Sequence, residues 1–200
     1  MRKLTRPAEP VELTNARRTY SSISSATEAW EKFVDNEDRT KVRKQLENVQ
    51  NNLCAYCENS LEKNPHIDHF EPKSRNRNLT FEWDNLIVSC THDDSCGRKK
   101  DNNFQTYWIN PYLIDSSRMF KFYSNGEIKG TTPDAEKIIK DFGLDCPRLE
   151  KKRQGILSSY EKNILAITET SPEALEYFLL TEESIFPTAH KQIANKLIGA

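Results

Sequence analysis

Two amphipathic stretches precede the chemically unusual part of the chain. Trp30, Phe33 and Val34 share one face of a short helix beginning near Thr27. Val42, Leu46, Val49 and Leu53 recur at steps of three and four, the apolar stripe of a second helix that delivers the chain to Cys54. The helical period is then lost. His66-Ile67-Asp68-His69-Phe70 and Leu86-Ile87-Val88-Ser89-Cys90 read as short strands separated by a polar, locally basic loop, 71–78. The polar run 97–105 opens a short helix. Further on, 120–128 reads as a β-hairpin turning at Asn125-Gly126. Thr132 as N-cap, Pro133 in the first turn and Gly143 past the end bound a helix with Ala135, Ile138, Ile139 and Phe142 on one face. A helix from Pro147 carries Leu149, Ile156, Tyr160, Ile164 and Ile167, and a third, after Ser171-Pro172, carries Leu175, Phe178 and Leu179. Residues 1–25 show no period. Pro7, Pro10 and the serine-rich run 21–25 predict extended backbone and loop, an arm lying on the body or on a partner. The pattern predicts an α+β chain in three parts: an N-terminal arm 1–25, helices plus a strand-bearing module 26–105, and a β-hairpin with an α-helical region 106–200.

Composition narrows the function classes. With 200 residues the chain can bury a core. Its longest apolar runs, such as 177–180, fall far short of the ~20 residues a membrane helix needs. The start, residues 1–7, is basic but lacks the apolar segment of a secretory signal. Five cysteines, an odd number, argue against a disulfide framework, so a cytoplasmic protein is expected. Lys and Arg number 29 against 30 Asp and Glu, a net charge of -1, so the chain lacks the basic excess of a free-standing nucleic-acid binder. Phosphate contacts must come from a local patch or from a partner.

Cys54-x2-Cys57 and Cys90-x5-Cys96 supply four thiolates, a tetrahedral sulfur set that suits Zn²⁺ and not Mg²⁺. Such a site has no open position and is structural. It would tie together the segments flanking the two strands, which are marginal by themselves. Cys146 stands alone before Pro147 and reads as a core or helix-entry residue.

Between the knuckles lie Asp68-His69-x2-Pro72 and Trp83-Asp84-Asn85-Leu86, and Lys100 follows Cys96 by four residues. This constellation resembles the HNH nucleases, the ββα-metal fold. The wording Cys-Ala-Tyr-Cys-Glu, His-Ile-Asp-His-Phe-Glu-Pro-Lys-Ser, Trp-Asp-Asn-Leu and Cys-Gly-x-Lys-Lys is similar to the HNH proteins of retron and Septu anti-phage systems. The opening Arg-Lys-Leu-x-Arg-Pro, Ile109-Asn110-Pro111, Gly126-Glu127-Ile128 and Leu144, Leu149 and Arg153 extend that resemblance over most of the chain. It implies a mostly α-helical body with a small zinc-stabilised ββα-metal module, and a metal-dependent endonuclease hydrolysing DNA or RNA, including tRNA. It further implies an effector working with an ABC/AAA-type ATPase partner (PtuA-like), and a retron reverse transcriptase with its DNA as a further partner.

By the same resemblance His69 is the general base, Asp68 holds a catalytic Mg²⁺ or Mn²⁺, Asn85 holds His69 in place through backbone hydrogen bonds, and Lys100 serves the phosphate. Strict strand alternation separates Asp68 from His69; both can act at one site only if the strand twists or ends there, and Pro72 favours an end. The third HNH position departs from the family, because Gly97 follows the last cysteine and has no ligating side chain. Candidates for the further metal ligand are His66, which shares strand parity with Asp68, and His92, ahead of Asp93, Asp94, and Asn102 or Asn103 one turn into the helix; water can also fill the position. Lys73/Arg75/Arg77 and Arg98/Lys99/Lys100 form two basic clusters flanking the site. Trp83 reads as a packing residue. The rival reading is a zinc-stabilised binding module without catalysis, favoured by Gly97 and opposed by the intact Asp68-His69, Asn85 and Lys100.

Overall fold

A computed structural model of the chain describes residues 1–34, 37–61, 64–169, 171–181 and 185–198; at 34, 172, 176, 180 and 181 it describes the backbone alone. The expectation that Val34 shares a helix face therefore lies outside the described side chains. The architecture is α+β, mostly helical, with two small antiparallel sheets.

Helix α1 (Val11–Thr19) is the first departure from expectation, since 1–25 carry no readable period. Only Leu13 and Ala16 are buried on it, Pro10 at its N-cap supplies no side-chain hydrogen bond, and the helix is held by packing on α3. Burial of two residues over nine leaves no sequence period, and tertiary packing supplies the stability that propensity does not. The rest of the arm also folds down: Met1 and Leu4 are buried, and Leu4 donates its N–H to the Pro111 carbonyl.

Helices α2 (Ala26–Val34) and α3 (Glu37–Val49) follow. Phe33, Val42 and Leu46 point into the core, where Trp30, Phe33 and Phe81 form an aromatic cluster with centroids 5.5–5.9 Å apart. Gln50, fully buried, joins the end of α3 to the sheet. Its amide donates to the Leu53 and Val88 carbonyls and accepts from the Val88 N–H. This also satisfies backbone groups along one side of the sheet.

Strands β1 (His66–His69) and β2 (Leu86–Ser89) pair antiparallel, His66 opposite Ser89 and Asp68 opposite Ile87. A five-residue helix, α4 (Cys96–Lys100), completes the ββα unit. It ends at Asp101, which sits in a positive-φ conformation (φ 49), so Asn102 and Asn103 lie beyond the helix and not one turn into it.

In the C-terminal half β3 (Phe120–Phe122) and β4 (Ile128–Gly130) form the hairpin, with Gly126 at φ 90 in the turn. Helix α5 (Pro133–Asp141) begins as the capping residues predict: the Thr132 hydroxyl accepts from the Ala135 N–H, and Gly143 follows at φ 57. Helix α6 (Pro147–Thr168) buries Leu149, Arg153, Leu157, Tyr160 and Ile164, whereas Ile156 and Ile167 are half-buried. Helices α7 (Pro172–Thr181) and α8 (Pro187–Ile198) pack on α6. Separate fastenings bind this half to the ββα unit. Phe142 packs on Tyr56 and its carbonyl accepts from the Cys96 N–H at 2.7 Å, and buried Glu58 accepts from the Thr188 hydroxyl at 2.6 Å.

Candidate metal centre and active-site cavity

The four sulfurs of Cys54, Cys57, Cys90 and Cys96 lie within 4.8 Å of one another, all buried. Two tight turns bring them together. Glu58 adopts φ 61 and returns its N–H to the Cys54 carbonyl, closing the first knuckle. Cys96 adopts φ 59, uncommon for a residue with a side chain, and the Phe142 carbonyl holds its N–H. The thiols act on one another: burial raises the pKa of Cys54, but hydrogen bonds from the other three outweigh it and hold Cys54 well below the ordinary thiol range. Four mutually close sulfurs, one already favouring the thiolate, fit zinc. Among the described residues no other group of three or more His, Cys, Asp or Glu converges in this way. Cys146 is apart from the cluster, at the N-cap of α6.

A second centre lies beside the first. Asp68 and His69 end β1, and both line a cavity of about 430 Å³ with Trp30, His66, Lys73, Gly97 and Arg98. The two side chains reach one cavity at the end of the strand, where the last backbone bond of the pairing, Phe70 N–H to the Asn85 carbonyl at 2.8 Å, lies just past His69.

Each side chain there has a definite anchor. The Tyr56 hydroxyl donates to Asp68 Oδ2 at 2.5 Å, and Lys100 Nζ lies 3.3 Å from Oδ1. Burial raises the pKa of Asp68 against the opposing pull of Lys100 and Tyr56. Tyr56 belongs to the first cysteine knuckle, so the zinc-type site and the carboxylate share one rigid support. His69 Nε2 lies 2.9 Å from the Thr80 carbonyl, to which it donates, and its ring meets Trp30 edge-on at 4.4 Å. Burial pushes its pKa down to about 3, so the imidazole is neutral near pH 7.

Asn85 works through backbone. Its Oδ1 accepts from the Glu71 N–H at 2.8 Å, and its Nδ2 donates to the Glu71 and Leu79 carbonyls at 2.9 and 3.2 Å. It thereby clamps both ends of the loop that carries Thr80 to His69. Asn85→Ala strands the Glu71 N–H and carbonyl and leaves the Leu79 carbonyl only a long 3.4 Å bond from the Glu82 N–H. It is expected to lower unfolding stability by ~1–3 kcal/mol, the cost of unsatisfied buried groups, with zinc content retained. A chemical-denaturation midpoint measured beside the metal content checks this.

Several sequence expectations need correction. Lys100 is not a cation free to hold a phosphate: it is 1% exposed, and its ammonium donates to the His69 and Asp101 carbonyls at 2.9 and 3.1 Å as well as to Asp68. Arg77 does not flank the site either, because its guanidinium is spent on the Ser21 and Ile23 carbonyls. Arg75 lies over the Phe104 ring. Lys73 and Arg98 are the two cations of those clusters that line the cavity with charge to spare. His92 is not among the lining residues, whereas His66 is. Trp83 is buried and donates to the Pro7 carbonyl. Sequence reasoning missed Tyr56 and Trp30. Tyr56 could have been noticed inside the knuckle; nothing marks Trp30, which reaches His69 across 39 positions of chain.

Comparison with known proteins agrees with this geometry. Residues 54–103 match the family described as HNH endonuclease. A Vibrio cholerae protein named "Retron Vc95 putative HNH endonuclease" is 32% identical over 128 residues, covering 56% of this chain and 62% of the relative. The "Septu protein PtuB" of Bacillus thuringiensis is 31% identical over 158 residues, covering 73% of this chain and 58% of the relative. The chain thus spans about six-tenths of the length of these curated relatives. No described helix is long and apolar enough to cross a membrane. Residues 54–103, with their paired cysteine knuckles and the Asp68-His69 strand end, carry the match to the HNH endonuclease family, in a chain similar to the HNH proteins of retron and Septu systems.

Proposed function

We propose that the protein is a divalent-metal-dependent endonuclease that hydrolyses nucleic-acid phosphodiesters as the effector of an anti-phage system. The observation that carries this reading is the presence of His69 and Asp68, adjacent in sequence, in one cavity beside a sulfur site suited to structural zinc. In the proposed reaction His69 is the general base. Its Nε2 hydrogen is committed to the Thr80 carbonyl, so the lone pair of the neutral ring is on Nδ1. That atom takes the proton of the attacking water as its oxygen bonds to phosphorus. Trp30 and Thr80 fix the ring against rotation. Asp68, with Oδ2 held by Tyr56, would hold a Mg²⁺ or Mn²⁺ ion through Oδ1. The ion would neutralise the charge building on the departing oxygen. Lys73 and Arg98 sit where they can hold the scissile phosphate. Asn85 is a positioning residue, acting through the loop that carries Thr80.

A net charge of -1 and two free cations at the cavity cannot track a long polyanion. We therefore infer that a partner supplies the rest of the nucleic-acid path. The Septu and retron names of the relatives favour an ABC/AAA-type ATPase (PtuA-like) and, in a retron setting, a reverse transcriptase with its DNA; the setting is cytoplasmic. The same sparseness favours the rival reading, a zinc-stabilised module that binds without cutting.

Asp68→Asn separates the two. Assayed with the ATPase on plasmid DNA and on tRNA, the wild type should cut, and Asp68→Asn should need at least ~10-fold more Mn²⁺, since losing even an outer partner of a metal ligand costs ~10–100-fold in affinity. Binding without cutting by the wild type at every Mn²⁺ level would favour the rival.

A further inference from the structure

We propose that His66 is the second protein ligand of the divalent ion, its imidazole filling the space that Gly97 leaves open beside Asp68. The inference rests on the reading of this cavity as a divalent-ion site and names the donor set there.

Gly97 gives the geometry. A Cβ at this position would lie 2.9 Å from His66 Nε2, 3.2 Å from Asp68 Cγ and 3.1 Å from Ser89 Oγ. Gly97 is not among the positive-φ residues, so space and not backbone conformation calls for glycine. The imidazole nitrogen and the carboxylate of Asp68 therefore converge on the same small volume, floored by the start of α4. The strand makes this convergence a matter of register. His66 and Asp68 are two apart on β1, opposite Ser89 and Ile87, and alternate residues of a strand share a face.

The other observation concerns the His66 side chain. Its Nδ1 is buried and has no hydrogen-bond partner. Buried polar atoms in native proteins are almost always paired, and an orphan calls for an explanation. An imidazole whose Nδ1 has no hydrogen bond to fix it, and whose Nε2 shares with the Asp68 carboxyl group the clearance above Gly97, fits a ligand of an ion held there. The remaining donors are also suitably arranged. Tyr56 occupies Oδ2 of Asp68 at 2.5 Å, which leaves Oδ1. The only cation hydrogen-bonded there among the described residues, Lys100, is 3.3 Å away and is anchored independently by the His69 and Asp101 carbonyls. An ion arriving at Oδ1 can displace that long contact without freeing the lysine. One carboxylate oxygen and one imidazole nitrogen leave the other positions to water and phosphate, as such ions accept. Mixed oxygen and nitrogen donors also favour Mn²⁺, Co²⁺ and Ni²⁺ over Ca²⁺.

The test is pulsed electron paramagnetic resonance of Mn²⁺ added to the zinc-loaded protein, with binding measured on the same samples. The wild type should bind one Mn²⁺ with an imidazole-nitrogen modulation that shifts when the histidines are labelled with ¹⁵N. His66→Ala and His66→Gln, each with zinc content retained, should lose the modulation and bind at least ~10-fold more weakly, as removing a direct ligand should cost no less than losing an outer partner. His69→Ala and His92→Ala should keep it. A wild-type spectrum without nitrogen modulation overturns the inference, whatever the variants do. Mn²⁺ binding lost in Asp68→Asn but unchanged in His66→Ala also overturns it and leaves the nuclease reading standing. Failure of the wild type to bind any Mn²⁺ in the cavity overturns both.

Discussion

His69→Ala is expected to lower nucleic-acid cleavage by ~10²–10⁴-fold, the usual worth of a general base, while zinc stays bound. The size follows from how fully the ring is committed. It is buried, neutral, tied to the Thr80 carbonyl at 2.9 Å and held edge-on by Trp30 at 4.4 Å, so no second imidazole can swing into its place. His66, the other histidine lining the cavity, lies three positions earlier on β1, at the opposite end of the strand. Truncation also strands the Thr80 carbonyl, and unsatisfied buried groups cost ~1–3 kcal/mol. Assays therefore belong well below the melting temperature, with metal content and circular dichroism recorded on the same sample. Folded, zinc-bound His69→Ala cutting at the wild-type rate would remove His69 from the reaction.

The other large effect concerns the cysteines. Cys54→Ser or Cys96→Ser should release zinc and unfold the module, because structural zinc in small domains contributes on the order of 10–16 kcal/mol of apparent binding energy to folding. Two strands of four residues and a helix of five cannot supply that by burial. The damage should also reach Asp68, because Tyr56 stands between Cys54 and Cys57 and its hydroxyl holds the carboxylate. Cys146→Ser should leave one zinc per chain, as its sulfur is not part of the cluster. Elemental analysis of the three variants beside their thermal melts checks all of this; folded Cys54→Ser without zinc would contradict a structural role.

What could be read ahead of the structure follows the range of the interactions involved. The cysteine pairs, the two strands, the Asn125-Gly126 turn and the Thr132 cap are local, and residue type with spacing specifies them. Helix α1 was not legible, because two buried residues beside a proline cap carry no period. Lys100 was misread for a related reason. Three consecutive basic residues beside the site read as a cluster open to phosphate, and only the fold shows that the third turns inward to two carbonyls and a carboxylate. The Trp30–His69 contact joins distant segments, so no motif encodes it; Tyr56 stands inside the cysteine knuckle, and only its reach to Asp68 depends on the fold. Gly97 read as a missing ligand in the sequence; in space it is the clearance that lets His66 and Asp68 approach each other.

The central claim is that this cavity hydrolyses phosphodiesters with the help of an exchangeable ion distinct from zinc. The most direct measurement is cleavage of plasmid DNA and of tRNA by the zinc-loaded protein with its ATPase, in Mn²⁺ or Mg²⁺ and in a chelator at a concentration that spares the cysteine-bound zinc. Cleavage with the added ion, its loss in chelator and its return on adding the ion back are the predicted result. No cleavage of either substrate with the ion present, or equal cleavage in chelator, would contradict the account.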